Sequence, residues 1–305
     1  MRFAILGAGG VGGFFGGLLA RSGFEVAFLA RGPHLAAIRS RGLEVRAPEE
    51  SFTVFVEAAA DAEDLGHPDY AIVAVKGYSL EAILPAARLL AGRGATLVPL
   101  LNGVDAADRL IAGGVPKENV IGGLTHVSAA RIAPGVVERK SALRRVVVGE
   151  LPRGVSVRAE TLAAVLREAG AEATVSPDIT ADLWRKLAFI ASIAAACGLA
   201  RSPLGPVRDT PLGKLLFARA VHEVFAVARA RGVPVSDDDE GKTLTFIDSL
   251  GSGTKPSFLL DLEAGGPTEI DDLCGAVSRL GREAGVETPI HDTATAALSV
   301  RRMTT

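Results

Sequence analysis

Apolar positions in the first hundred residues fall into short continuous runs separated by stretches of helical spacing. Phe3–Leu6, Glu25–Leu29, Tyr70–Val75 and Thr96–Leu101 are the runs, and each stops at a glycine, a proline-containing turn or a polar residue. Runs of this length read as strands buried on both faces. Between them, Val11–Arg21, a stretch beginning about Pro33, and Ser79–Ala91 carry helical spacing. Strand, helix and strand repeated in this way imply right-handed crossovers and a parallel sheet with helices on both sides, an α/β arrangement.

The pattern changes after Gly122. Val136–Glu138 and Arg145–Val148 read as shorter strands that close the sheet in an antiparallel sense, and Arg158–Glu168 reads as a helix stopped by Gly170. From Pro177 onward the periodicity is helical throughout: Ile179–Ala200, Leu212–Arg231, Asp237–Leu250, Ile270–Ala284 and Pro289–Arg301. The expected organisation is an α/β domain over 1–176 and an all-helical domain over 177–305. They join at Ser176-Pro177-Asp178, where proline ends one element and Asp178 can cap the next helix.

Composition narrows the class. A chain of 305 residues with 48 % hydrophobic residues, 22 % charged residues and a net charge of −2 has a globular balance. Nothing in that balance attracts nucleic acid or an anionic membrane. Two cysteines, Cys197 and Cys274, make no disulfide framework and suit a reducing, cytoplasmic compartment. The five histidines show no metal-ligand spacing, so no metal is expected. The apolar run from Phe3 to Ala20 contains seven glycines, which a helical signal segment would not tolerate. Leu187–Ala200 is too short to span a bilayer. An alanine-rich helical domain could pack against a second copy as a homodimer or serve only as a core.

The chemistry begins at Gly7-Ala8-Gly9-Gly10-Val11-Gly12, a G-x-G-x-x-G segment lying after a strand and before a helix. The first glycine permits a tight turn, the second lets backbone approach a pyrophosphate, and the third lets helix and strand pack closely. The phosphates would then lie at a helix N-terminus. In this context the loop predicts a Rossmann-type, doubly wound domain binding a nicotinamide dinucleotide. At the end of the second strand, where an NAD enzyme carries an acid for the ribose hydroxyls, this chain has Ala30-Arg31. A guanidinium suits a 2′-phosphate, so NADPH is the expected cofactor. A solvated surface arginine is the plainer alternative. Lys76 and Asn102 follow two further apolar runs directly; either alone could be a strand terminator, but together they suit ligand contact, because ligands of doubly wound sheets bind beyond the carboxyl ends of strands.

These residues, with VAVKGY at 73–78, LNG at 101–103, LWRKL at 183–187 and PTEIDDL at 267–273, resemble the ketopantoate reductase family over essentially the whole chain. The resemblance implies NADPH-dependent reduction of 2-dehydropantoate to pantoate, or of another small 2-oxo acid, on a Rossmann domain with a helical partner domain. It implies that Lys186 is the proton donor and that Glu269 pairs with it and contacts cofactor or substrate. Ser257 would bind the substrate carboxylate, and Asn102 would lie near nicotinamide and substrate. Reducing a ketone by hydride transfer builds charge on its oxygen, so a proton donor is needed there. Taken alone, the residues leave other readings open: Lys186 as a solvated lysine beside Arg185, Glu269 as a first-turn helix acid, Ser257 as a helix cap.

The chain also departs from the family. Asparagines four and eight residues after the lysine are replaced by Ile190 and Ala194, and a further one is replaced near Leu204. Lys186, Ile190 and Ala194 recur one turn apart on one helical face. A substrate hydroxyl would lose partners there, which favours a 2-oxo acid with an apolar side chain, although Ser192 or backbone groups could substitute. A non-catalytic NADP-binding sensor is the alternative from another class; the retained Lys186 and Glu269 favour the enzyme.

Overall fold

The computed structural model describes residues 1–300; the end of the last expected helix, at Arg301, lies outside them. The chain begins β1 (Arg2–Leu6), α1 (Gly10–Arg21), β2 (Glu25–Leu29), α2 (Gly32–Arg41), β3 (Leu43–Arg46), β4 (Ser51–Val54) and β5 (Glu57–Ala59). It continues β6 (Tyr70–Val73), α3 (Leu80–Gly92), β7 (Thr96–Pro99), α4 (Ala106–Ala112), β8 (Gly122–His126), β9 (Ala129–Ala133) and β10 (Val136–Arg139). After β11 (Arg145–Gly149), α5 (Val157–Glu168) and β12 (Glu172–Val175), every further element among the described residues is a helix. The helices are α6 (Ile179–Ala200), α7 (Leu204–Arg208), α8 (Pro211–Ala230), α9 (Asp237–Ser249), α10 (Ser257–Glu263), α11 (Cys274–Ala284) and α12 (Pro289–Ser299).

Contacts divide the chain into two compact units: Met1–Leu101 with Ala106–Ile179, and Asn102–Asp105 with the chain from Thr180 on. The first unit is built on an all-parallel sheet of order β5-β2-β1-β6-β7. Alternate side chains of β1 enter two different cores, as the period of a strand requires. Phe3 and Ile5 pack on the side of α1 and α5, whereas Ala4 and Leu6 pack on the side of α3 and α4. The sheet is therefore covered on both faces, which is why its strands read as continuous apolar runs.

Val136–Glu138 and Arg145–Val148 do not close this sheet. β10 pairs parallel with β3 and antiparallel with β9, within a sheet of order β4-β3-β10-β9. β11 pairs parallel with β12 and antiparallel with β8 in a third sheet. The outer edge of β7 explains the separation. Thr96 and Leu100 donate inward to Asp69 and Val73, so positions 97 and 99 face outward, and Pro99 has no N–H to donate there. A single bridge, Leu97 to Val120, is formed at that edge. The strand expected over Tyr70–Val75 also ends earlier, at Val73.

The second unit's core is an alanine-rich helical packing around α6, α8 and α11. α6 is the one described helix long and apolar enough to cross a membrane, but 67 % of its apolar window is buried within the protein. Its apolarity is that of a core helix. Cys197 and Cys274 are free and buried, and burial pushes their thiols up to about 11 and about 12. Among the described residues no group of His, Cys, Asp or Glu could hold a metal ion.

Candidate active site

The glycine loop leaves β1 at Gly7 and enters α1 at Gly10. Gly7 has φ +113°, a backbone conformation that only glycine adopts freely. A Cβ on Gly12 would fall 2.1 Å from the Gly7 carbonyl oxygen, so this glycine sets how closely helix meets strand. Gly9 differs: a Cβ there would meet nothing within 4 Å, and as N-cap of α1 it provides no side-chain cap. Backbone N–H groups without a side-chain cap thus end the helix, and the positive end of the helix dipole lies there too. These residues fit a dinucleotide pyrophosphate.

Arg31 caps α2 directly beyond β2, and its side chain is exposed, with no partner among the described residues. No carboxylate stands at Ala30, Arg31 or Gly32. Lys76 follows β6 by three residues and is half-buried at the start of a single 3₁₀ turn over Gly77–Ser79. Gly7–Gly12, Arg31 and Lys76 all belong to the first unit, whereas Asn102, Lys186, Ser257 and Glu269 belong to the second.

In the second unit, α6 places Lys186 between Trp184 and Leu187 with only 9 % of its surface exposed. Arg185 takes the other side, half-exposed and paired with Asp182 and Asp239. The solvated reading of Lys186 is thereby corrected, since the water-facing role falls to its neighbour. Lys186 Nζ donates to Asn102 Oδ1 at 3.0 Å, and Asn102 Nδ2 donates to Glu269 Oε2 at 3.3 Å. The amide can face only this way, because an ammonium only donates and a carboxylate only accepts. Burial lowers the Lys186 pKa to about 8, against an opposing pull from the Glu269 charge. The result is an acid near neutral pH, held in a fixed direction.

Glu269 is not in the first turn of a helix. Helix α11 begins only at Cys274, and Glu269 precedes it in a loop, 4 % exposed, where its carbonyl accepts from Asp272 and Leu273. Ile270–Asp272 forms a tight turn instead of a helix start. Ser257 is the first residue of α10, exposed, and the N-cap is Pro256, so Ser257 is not the cap. It stands outside the Lys186–Asn102–Glu269 chain.

Two residues of this arrangement, Asp105 and Arg279, were not visible from sequence patterning, whereas Gly103 lies within the LNG segment. Gly103 has φ +101°, and a Cβ there would lie 2.9 Å from the Asp272 carbonyl oxygen. Asp105 pairs with Arg279 of α11. Together they hold the Asn102–Asp105 segment within the helical unit, although chain order places it directly after β7. The Asn-Gly pair is the local signal, because such a pair marks a turn requiring positive φ.

The face beyond Lys186 divides. Ile190 is half-buried, whereas Ala194 is fully buried at 0 % and packed in the helical core. Ser192 is also 0 % exposed, its hydroxyl lacking a partner, and helical geometry points it away from the Lys186–Ile190 face. Of the substituted positions on α6, Ile190 is therefore the one with accessible surface on the lysine's side.

A glycine loop on a doubly wound sheet and a buried, hydrogen-bonded lysine on a helical unit define a nicotinamide-dependent oxidoreductase. Residues 3–153 match the family described as ketopantoate reductase PanE/ApbA, and residues 178–302 match its C-terminal domain. The chain belongs to the ketopantoate reductase family. It is 32 % identical to the 2-dehydropantoate 2-reductase of Mesorhizobium japonicum, covering 99 % of this chain and 98 % of that one. It is 31 % identical to the uncharacterized oxidoreductase YkpB of Bacillus subtilis, covering 98 % of each. Among solved structures, 2-dehydropantoate 2-reductase from Geobacter metallireducens superposes with a TM-score of 0.90 at 30 % identity, covering 98 % of this chain and 99 % of that one. D-mandelate dehydrogenase, solved with NADH and anilino(oxo)acetate, superposes with a TM-score of 0.89 at 26 % identity, covering 99 % and 98 %. The chain is thus a 2-dehydropantoate 2-reductase-like oxidoreductase that takes a nicotinamide cofactor and a small keto acid, and the sensor reading is set aside.

Proposed function

We propose that this enzyme reduces a 2-oxo acid to a 2-hydroxy acid with NADPH, using Lys186 as the proton donor. The observation that carries the reading is the chain from Lys186 through Asn102 to Glu269, with the lysine pKa brought to about 8. The dinucleotide, when bound at the glycine loop, supplies a hydride to the carbonyl carbon. Lys186 Nζ delivers a proton to the carbonyl oxygen as charge builds there, and its bond through another N–H to Asn102 keeps the ammonium oriented. Glu269 orients the Asn102 amide and holds up the charge of the ammonium. Ser257, exposed at the first turn of α10, takes the substrate carboxylate, and Arg31 with Lys76 serves the cofactor phosphates.

Ketopantoate is the first substrate to test, given the family. A second reading has its own support. Ile190 presents hydrocarbon beside the lysine, and a structural neighbour is a D-mandelate dehydrogenase bound to an oxoacetate with an aromatic group. A 2-oxo acid with a plain hydrocarbon side chain fits such a wall better than one carrying a hydroxyl. Oxidation of NADPH in the presence of ketopantoate, 2-oxoisovalerate and larger aliphatic or aromatic 2-oxo acids decides between them. Turnover with none of the panel would overturn the proposed reaction.

A further inference from the structure

His34 lies in the first turn of α2, yet is only 4 % exposed. Its two ring nitrogens meet two different backbone segments of the same unit. Gly135 N–H lies 2.8 Å from Nδ1, and the Ala8 carbonyl oxygen lies 2.7 Å from Nε2. An amide N–H can only donate, so Nδ1 accepts, and the ring proton sits on Nε2 and is donated to Ala8. Burial holds the imidazole below its ordinary pKa; the Ala8 bond opposes that shift, and the positive charge of Arg131 adds to it. The ring is a neutral, oriented bracket.

What it brackets is the dinucleotide loop. A trans peptide is planar, so the Ala8 carbonyl and the Gly9 N–H point in opposite directions. Fixing that carbonyl on His34 fixes the direction of the Gly9 amide, at the uncapped N-terminus of α1. The other anchor is firm as well, for the Gly135 carbonyl accepts from Glu44 at 2.8 Å. The same β9–β10 hairpin approaches the loop directly: a Cβ on Gly10 would lie 2.1 Å from the Ala129 carbonyl oxygen. Hairpin and imidazole therefore confine the loop from two sides, and Arg31 caps the helix that carries His34.

We propose that His34 is a positioning residue for the cofactor: its Nε2–H bond to Ala8 holds the Ala8–Gly9 peptide in the orientation that presents the loop amides to a pyrophosphate. The proposal rests on the glycine loop being the dinucleotide site. Two variants divide the histidine's bonds. In His34→Gln the side-chain amide nitrogen reaches about as far as Nε2 and still donates to Ala8, while the Gly135 bond is lost. In His34→Asn the side-chain oxygen takes the place of Nδ1 and still accepts from Gly135, while the Ala8 bond is lost. Each variant forfeits one hydrogen bond, so their thermal midpoints should fall by similar amounts.

NADPH binding, followed by the fluorescence of the nicotinamide, should separate them. The Kd should rise at least ~10-fold in His34→Asn and stay within about threefold in His34→Gln. At saturating NADPH, kcat and the KM for the 2-oxo acid should be unchanged in both. An unaltered NADPH Kd in His34→Asn, or equal losses in the two variants tracking their thermal midpoints, would overturn the proposal alone. Failure of the unmutated protein to bind NADPH would overturn the loop reading and the proposal with it.

Discussion

The side-chain oxygen of Asn102 accepts a 3.0 Å hydrogen bond from Lys186 Nζ, joining a residue that follows β7 to the long helix α6. Asn102 then donates to Glu269, so one amide orients a buried lysine and binds a buried carboxylate. The pKa of about 8 makes this lysine an acid of useful strength.

The pH dependence has a definite sign. With Lys186 as the proposed donor, reduction needs the ammonium form, so kcat should be level below pH about 8 and fall about tenfold per unit above it. Oxidation of the 2-hydroxy acid needs the neutral amine and should rise with pH through the same value. Rate profiles in both directions check this, and a reduction rate that is flat to pH about 10 would exclude Lys186 as the donor.

Gly103 should tolerate no side chain. Its φ is +101°, and a Cβ there would stand 2.9 Å from the Asp272 carbonyl oxygen, so Gly103→Ala should displace Asn102. Backbone strain of this kind costs about 1–3 kcal/mol. Reduction should slow about tenfold or more while NADPH affinity stays unchanged. Steady-state kinetics with cofactor titration reads both quantities.

Arg31 should set cofactor choice. NADPH should bind about tenfold tighter than NADH, equivalent to about 1.4 kcal/mol, and Arg31→Ala should erase most of that difference. Paired titrations with the two cofactors check it, and equal affinities in the unmutated enzyme would remove the basis for NADPH.

Ile190 should govern the substrate side chain. A desolvated hydroxyl without a partner costs roughly 1–3 kcal/mol, so kcat/KM for ketopantoate should be no better than for 2-oxoisovalerate. Ile190→Asn should move the ratio toward ketopantoate by about tenfold. Ala194 is not a useful partner for that test, because at 0 % exposure an asparagine there would bury an amide in the helical core. A hundredfold preference of the unmutated enzyme for ketopantoate would show that another group binds the hydroxyl.

Much of this arrangement was legible in the sequence where local pattern and tertiary role coincide. The parallel strands are buried on both faces and so read as apolar runs, and Gly7 and Gly12 each meet the steric demand their spacing implied. What escaped depends on distant neighbours. β3 and β4 are short strands with exposed alternate positions and β9 has three exposed residues in a row, so their pairing is decided by their neighbours in the sheet and α1 rather than by their own composition. Glu269 looked like a helix-start acid because its burial beside Asn102 is set from 167 residues away in sequence. Lys186 and Arg185 are adjacent charges, and only the packing of Trp184 and Leu187 decides which of them leaves water.

The central claim is that Lys186 donates the proton. Single-turnover reduction by Lys186→Ala, measured with the NADPH Kd of the same protein, tests it most directly. The rate should fall by at least about a hundredfold, with the NADPH Kd changed less than about threefold. Lys186→Arg should fail similarly, because a guanidinium keeps its proton near neutral pH. A Lys186→Ala enzyme that kept most of its single-turnover rate would place the proton donor elsewhere.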